Sequence, residues 1–406
     1  MNSYQRAINL YLHVHQPYRI RHYSIFDIGA NHQYFNDDSD GADTNNRFII
    51  RKVADKSYLP MNQLLHELLE QHPGFKLSLS ISGTAVEQFQ AWAPDVLDSF
   101  KRLIDTGRVE LVSETYHHSL AFFYSKDEFA KQVQQHKDML KAVFGFEPTA
   151  FRNTELAYNN DVAAWANQQG YQVILAEGWD PVLGWRSPNF VYRPAHTDQI
   201  KLLLKNYKLS DDIAFRFSNQ DWNDWPLSAE KYVHWINSTP DDQPLINLFM
   251  DYETFGEHQW SSTGIFDFMR KLPEIFLKND NHGFYTVSEA ARAYEAKDTI
   301  DVPHTITWAD TDRDLSAWLG NAMQHEAVRN LYGFESEVLN SQNPELISDW
   351  RKLQTSDHLY YMCTKWFNDG DVHAYFSPYA TPYEAFINFN NALHDIRYRL
   401  NKRDHN

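Results

Sequence analysis

At 406 residues, with 43% hydrophobic, 15% aromatic and only 22% charged residues, the chain is too apolar to stay disordered, and long enough to bury about three quarters of its surface around a core. Its 54 acidic against 37 basic residues leave a formal charge of −17, which argues against a phosphate backbone or an anionic membrane as partner, since both reward positive surface. The single cysteine, Cys363, excludes an intramolecular disulfide; with no apolar run near ~18 residues and no signal-like start, the expectation is a soluble, cytoplasmic protein without nucleic-acid or membrane partners.

Length allows two or three domains, or one barrel with an appendage. The first strand is expected over residues 7–14, where Ile8, Leu10, Leu12 and Val14 share one face. Further strands are expected over 76–81, 109–113, 149–154, 172–176 and 244–251. Helix signals lie between them. Residues 95–106 carry Val96, Leu97, Phe100, Leu103 and Ile104 at helical spacing, with Gly107 just past the end. The segment from Lys126 opens on Ser125 and Glu128, the spacing of a capping box, and stops at Gly145; the helix over 160–169 stops at Gly170. Alternating strands and helices imply a parallel sheet, and the length favours closure into a barrel. From about Asp314 the pattern turns helical, over 315–331, 344–366 and 382–400, the last opened by Thr381, Pro382 and Glu384. The expected organisation is a catalytic barrel over 1–300 and a helical domain over 301–406. Two long connections interrupt the barrel: 18–56 is acid-rich, with Asp37, Asp38, Asp40 and Asp43, and 177–228 carries Trp179, Trp185, Trp222 and Trp225. Connections this long are functional or disordered, and the tryptophans argue against disorder in the second.

Barrel enzymes place their chemistry at the C-terminal ends of the strands. The first strand ends in His13-Val14-His15-Gln16-Pro17, and a period of two sets both imidazoles on one side. The third runs into Glu114-Thr115-Tyr116-His117-His118, the fourth into Arg152-Asn153-Thr154-Glu155, and the strand over 244–251 into Asp251-Tyr252-Glu253. Singly, each has a structural explanation: a cap, a satisfied core histidine, packing tryptophans. Their joint occurrence at the ends of strands far apart in sequence points to a site. Two chemistries suit it. Two carboxylates flanking a glycosidic bond make a glycosidase; His13-x-His15, completed by later ligands, makes half of a metal-dependent barrel hydrolase. A glucan-binding protein without turnover is a third reading. Spacing leaves all three open.

Five segments carry a resemblance: HVHQP from His13, ETYHHSL from Glu114, FRNTELAY from Phe151, FMDYETFGEHQW from Phe249 and WADTDRDLSAWLGN from Trp308. In these the chain resembles glycoside hydrolase family 57, its α-amylase group above all. The resemblance implies an incomplete (β/α)7 barrel followed by a helical region, no cofactor and no metal, and a retaining reaction on α-1,4-glucans or maltooligosaccharides. It implies Glu155 as nucleophile and Asp251 as general acid/base, with His13, His15, Glu114, His118, Glu253 and Asp310 along the sugar subsites. Trp308, Trp222 and Trp225 are added as aromatic platforms. A 4-α-glucanotransferase would use the same machinery. Retention asks for carboxyl groups about 5–5.5 Å apart. An acid that starts near ~3.9 must also gain affinity for its proton, so Asp251 is expected to be raised by burial and by ionised Glu155.

Overall fold

The computed structural model describes residues 3–365 and 376–403. Its strands, in chain order, are β1 (Arg6–Val14), β2 (Leu77–Ile81), β3 (Val109–Leu111), β4 (Ala150–Phe151), β5 (Val173–Glu177), β6 (Val191–Pro194), β7 (Lys201–Lys205), β8 (Leu245–Asp251), β9 (Phe255–Gly256), β10 (Gln259–Trp260), β11 (His282–Phe284) and β12 (Thr299–Ile300). Every residue of β1 is buried, as a parallel strand covered on both faces requires. Ile8, Leu10, Leu12 and Val14 pack outward against helices. Ala7 and Tyr11 face inward with Phe249, Leu203 and Leu175, and Asn9 and His13 alternate with them on that side.

Parallel pairing closes most of a ring. β8 runs along β1 from Ala7 to His13, so β11 and β2 share the other edge of β1. β2 pairs with β3, and Ser113, just past β3, bridges to Phe151 of β4. β4 pairs with β5, and β5 with β7. Seven parallel strands thus follow in the order β8, β1, β2, β3, β4, β5, β7. The last gap carries no ladder among the described residues: the Asn206 amide donates to the Asn247 carbonyl, the Asn247 side chain donates to the Leu204 carbonyl, both at 2.9 Å, and Ser210 Oγ takes the Phe249 amide. β6, antiparallel to β7, carries β12 on the outside.

The expected strands appear with shifts of a residue or so, except that β4 keeps only Ala150 and Phe151 before the chain turns away. The connection 177–228 is not one loop: it holds β6, β7 and the helix Tyr207–Asp211. The helix Lys126–Phe144 opens on Ser125, whose side chain takes the Glu128 amide, and closes on Gly145 at φ 66°. Glu128 does not complete a capping box. Its carboxylate turns to Arg351, at 2.8 and 3.0 Å, and ties the barrel to the helical region.

That region contains Ser316–Leu319, Ala322–Tyr332, Glu335–Asn340, Pro344–Lys352, Ser356–Tyr360 and Pro382–Arg403. The helix expected over 315–331 is broken at Gly320, because Asn321 and Gln324 form a capping box that starts a new one. The helix expected over 344–366 stops at Lys352 and restarts at Ser356; its end at Trp366 lies outside the described residues. The connection 18–56 is fastened to the last helix. Buried Asp395 accepts from the Gly29 amide at 2.6 Å, His32 Nδ1 at 2.7 Å and the Tyr34 hydroxyl at 2.5 Å. Among the described residues no helix is long and apolar enough to cross a membrane.

Candidate active site

A cavity of about 560 Å³ opens over the C-terminal ends of β1, β4 and β8, and Glu155 and Asp251 both line it. His13, His15, His118, Glu253, Trp308 and Asp310 line it as well. These residues come from segments up to 297 positions apart, from His13 to Asp310. β1 supplies His13 at the point where its neighbours in register are Ser80 and Asp251.

Beneath the cavity Glu114 acts as a hub. It is fully buried, and its Oε2 accepts from His13 Nε2 and Arg152 Nη1 at 3.2 Å and from His118 Nδ1 at 3.3 Å. Burial pushes its carboxyl up, but His13, His118 and the guanidinium outweigh this and hold it well below the usual range. Glu114, expected along the cleft, is not among the residues lining the cavity and instead supports the rings that face it.

Glu155 sits where the chain leaves β4. It and Leu156 take left-handed backbone angles, φ 58° and 49°, at a cost of order 1 kcal/mol each. Its carboxylate receives three donors: His118 Nε2 at 3.1 Å and Ser356 Oγ at 2.8 Å on Oε1, and Trp308 Nε1 at 3.0 Å on Oε2. Burial opposes ionisation, yet the hydrogen bonds from His118 and Trp308 and the charge on His118 bring the carboxyl below its ordinary value. Burial likewise disfavours the His118 imidazolium, but Glu114 and Glu155 on either ring nitrogen raise it to about 9. At neutral pH His118 is therefore a cation donating to both. Trp308 is steadied by the Arg152 guanidinium and the Lys205 ammonium, 5.3 and 5.6 Å from its ring centroid. Lys205 lies among Glu177, Asp211 and Arg313, with Asp211 at 3.0 Å.

Across the cavity, the Asp251 side chain keeps 44% of its surface open, with His13 Nδ1 at 3.6 Å. Here the structure reverses an expectation. Desolvation raises the carboxyl, but His13, His258 and Arg152 more than offset it, so in the open site Asp251 titrates below its ordinary value. Sequence spacing carries no record of three basic neighbours. The proton rests instead on Glu253, which burial and the charge of Asp251 raise to about 8 while Tyr58 and the His15 amide (3.3 Å) donate to it.

Trp222 and Trp225 are not among the residues lining the cavity. Trp222 packs against Trp235, 6.1 Å between centroids, with Arg216 over its ring. Trp225 stands 42% exposed ahead of the helix Ala229–Asn237. Of the three expected platform rings Trp308 lines the cavity, and Tyr207, Phe215, Tyr360 and Tyr361 line it as well.

Among the described residues two groups bring donor atoms within 4.8 Å of one another, as a divalent ion needs: His13, Glu114 and His118, and His15, His118 and Asp357. Both depend on His118, whose nitrogens already donate to two carboxylates, and the first lies against the Arg152 guanidinium. A second cation there would displace a charge already in place, so the donors fit a hydrogen-bonded network better than a metal centre.

The sequence profile described as glycosyl hydrolase family 57 matches residues 9–303. The chain is 45% identical over 366 residues to a Methanocaldococcus jannaschii protein, covering 87% of this chain and 77% of that one; its name, given provisionally, is that of an alpha-amylase. The chain belongs to glycosyl hydrolase family 57. It is an enzyme of the glycoside-cleaving or glycosyl-transferring class. A Pyrococcus horikoshii alpha-amylase is 23% identical over 64% of this chain, which spans only 40% of that relative's length. In fold, the chain is similar to the 4-alpha-glucanotransferase of Thermococcus litoralis, with a TM-score of 0.66 at 16% identity over 88% of this chain and 56% of that one. It is also similar to the alpha-amylase AmyC of Thermotoga maritima, with a TM-score of 0.61 at 12% identity over 98% and 93%. The fold is thus the incomplete (β/α)7 barrel with its helical C-terminal region.

Ser356 and Asp357 beside Glu155 and His15, the Lys205 cluster, and Arg152 and His258 beside Asp251 were not expected from the sequence. Arg152, His258 and Arg313 lie inside the five segments quoted above, next to residues that were singled out. Ser356, Asp357, Lys205 and Asp211 stand in stretches without a motif.

Proposed function

We propose that this family-57 enzyme cleaves α-1,4-glucosidic bonds of starch- or glycogen-type glucans and maltooligosaccharides with retention at the anomeric carbon. The observation that carries this reading is the pairing of carboxyls on one cavity: Glu155 held ionised by three donors, and Asp251 facing the same space. A Glu155 oxygen attacks the anomeric carbon while the bond to the leaving oxygen breaks, and Asp251 gives that oxygen its proton. The Asp251 carboxyl acquires this proton as sugar covers its open surface, since desolvation favours the neutral form. Asp251 then takes a proton from the incoming water, whose oxygen displaces Glu155. His13, His15, His118, Glu253, Trp308 and Asp310 hold the sugar, and no metal enters. In this reading residues 1–300 form the catalytic barrel, and residues 301–406 the helical domain that lends Trp308 and Asp310 to the cleft. Cys363, the one cysteine in the sequence and buried in the fold, suits a reducing, cytoplasmic setting.

Transfer to a sugar hydroxyl would use the same glycosyl-enzyme, and the alpha-amylase and 4-alpha-glucanotransferase names among the relatives keep that branch in view. A time course on a single maltooligosaccharide separates the two: only shorter products are expected for hydrolysis, and longer ones reveal transfer. Glu155→Gln is expected to lower turnover by about 10³-fold or more while leaving glucan binding intact. Near-full activity in that variant would overturn the assignment.

A further inference from the structure

The segment Thr355, Ser356 and Asp357 lies beyond the residues matched by the family profile, and it meets the active site in three ways. Its backbone pairs with the turn after β3: Ser119 and Thr355 form an antiparallel bridge, the Ser356 amide donates to the His118 carbonyl at 2.9 Å, and the Thr355 hydroxyl to that of His117 at 2.9 Å. These bonds hold His118 in its left-handed conformation, φ 52°. Ser356, fully buried and not lining the cavity, donates its hydroxyl to Glu155 Oε1 at 2.8 Å. Asp357 lines the cavity with 23% of its side chain open and accepts from His15 Nε2 at 2.9 Å. Burial and the neighbouring His118 charge bring His15 down to about 4. Its neutral ring therefore carries its proton on Nε2 toward Asp357, and Nδ1 accepts from Ser82 Oγ at 2.7 Å.

We propose that Ser356 and Asp357 are positioning residues of the reaction: Ser356 fixes the orientation and charge of Glu155, and Asp357 fixes the ring and tautomer of His15 while biasing Glu155 through space. The helical region would then be part of the catalytic apparatus and not a support for it. Three features favour this over a packing role. The hydroxyl is aimed at a carboxylate oxygen, a charge-assisted bond of the stronger kind. Thr355 and Ser356 also hold the turn that carries the second donor to that oxygen, His118. Asp357 is a charge kept at the cavity wall, where an apolar residue would serve packing better. The charged groups facing Glu155 are His118 and Glu114 from the turn after β3, Arg152 at the end of β4, Asp357 from the helical region and Asp251 across the cavity.

The inference rests on Glu155 as nucleophile, and the test separates the two. The pH dependence of kcat/KM on maltoheptaose is compared for the wild type, Ser356→Ala, Ser356→Thr, Asp357→Asn and Glu155→Gln. Losing the hydroxyl removes a donor to the ionised form, so Ser356→Ala is expected to move the acidic limb up by about one pH unit. Its kcat is expected to fall about tenfold with KM little changed, and Ser356→Thr to restore the wild-type limb. Asp357→Asn keeps an acceptor for His15 but removes a negative charge facing Glu155, so its limb is expected to move the opposite way, by a few tenths of a unit. Limbs that stay in place in both Ser356→Ala and Asp357→Asn, with Glu155→Gln inactive, overturn the positioning roles alone. An active Glu155→Gln overturns the nucleophile beneath them. If Ser356→Ala does not fold, the opposite-signed shift in Asp357→Asn decides.

Discussion

Glu253 is a carboxylic acid that keeps its proton in a neutral solution, and that has a thermodynamic signature. Unfolded, a glutamate titrates near ~4.3; folded, Glu253 titrates near about 8. Between those values the folded chain holds a proton that the unfolded chain has released, so stability falls as pH rises through that window. Glu253→Gln presents the same shape with no proton to lose. Its thermal midpoint is expected to gain on the wild type between pH 5 and pH 8, by roughly 2–4 kcal/mol of stability at the upper end. A gap that stays constant across that range would show Glu253 ionised in the fold. The pair shows what a sequence conveys at this scale. Alternation along β1 was enough to aim His13 and His15 at one space, and strand ends were enough to nominate Glu155 and Asp251. Which of two acids in Asp251-Tyr252-Glu253 carries the proton depends on His13, Arg152 and Tyr58, brought to them by the fold from more than 90 residues upstream.

Among the elements, legibility followed the strength of the local signal. β1 and β8 are long and apolar and appear within a residue of expectation. β4 was over-extended because its last residues, Arg152 to Thr154, look strand-like until the left-handed turn at Glu155 is known. β7 was lost because Leu202 to Leu204 is a short run between lysines, and Lys205 reads as solvated although it is buried in a charge cluster. The strand β9, Phe255–Gly256, belongs to one of the five quoted segments, but its mechanical part is not read from them. Gly256 has φ 110°, and a Cβ there would stand 2.0 Å from the Lys56 carbonyl oxygen. That contact lets the helical turn Ala54–Tyr58 lie close enough for Tyr58 to reach Glu253. Gly256→Ala is expected to cost about 3 kcal/mol or more in stability and to weaken activity through Glu253. Denaturant unfolding with a parallel activity assay measures both. A neutral outcome would mean that the two segments can part without consequence.

Across the whole molecule, two fastenings away from the cleft add to the joins around Thr355, Ser356 and Asp357: Glu128 with Arg351, and Asp395 with the connection 18–56. Neither was visible beforehand, since Gly29, His32 and Tyr34 give no sign of a partner more than 350 residues downstream. Asp395 accepts three hydrogen bonds from that connection, so Asp395→Ala strands buried donors and is expected to cost about 2–4 kcal/mol. Limited proteolysis of the variant is expected to cut first within 18–45, whereas the wild type resists there. Cleavage confined to other places would show the connection held by its aromatic packing instead.

The gap between β7 and β8 has a consequence of its own. Elsewhere the ring is stitched by repeating main-chain bonds, which no side-chain replacement can undo. Here three isolated hydrogen bonds stand in for the missing stitches, and two of them use side chains: Ser210, and the Asn247 amide that Asn9 holds at 3.0 Å. The circle therefore has a clasp, a joint that replacing Asn247 or Ser210 can loosen while the laddered ones stay shut.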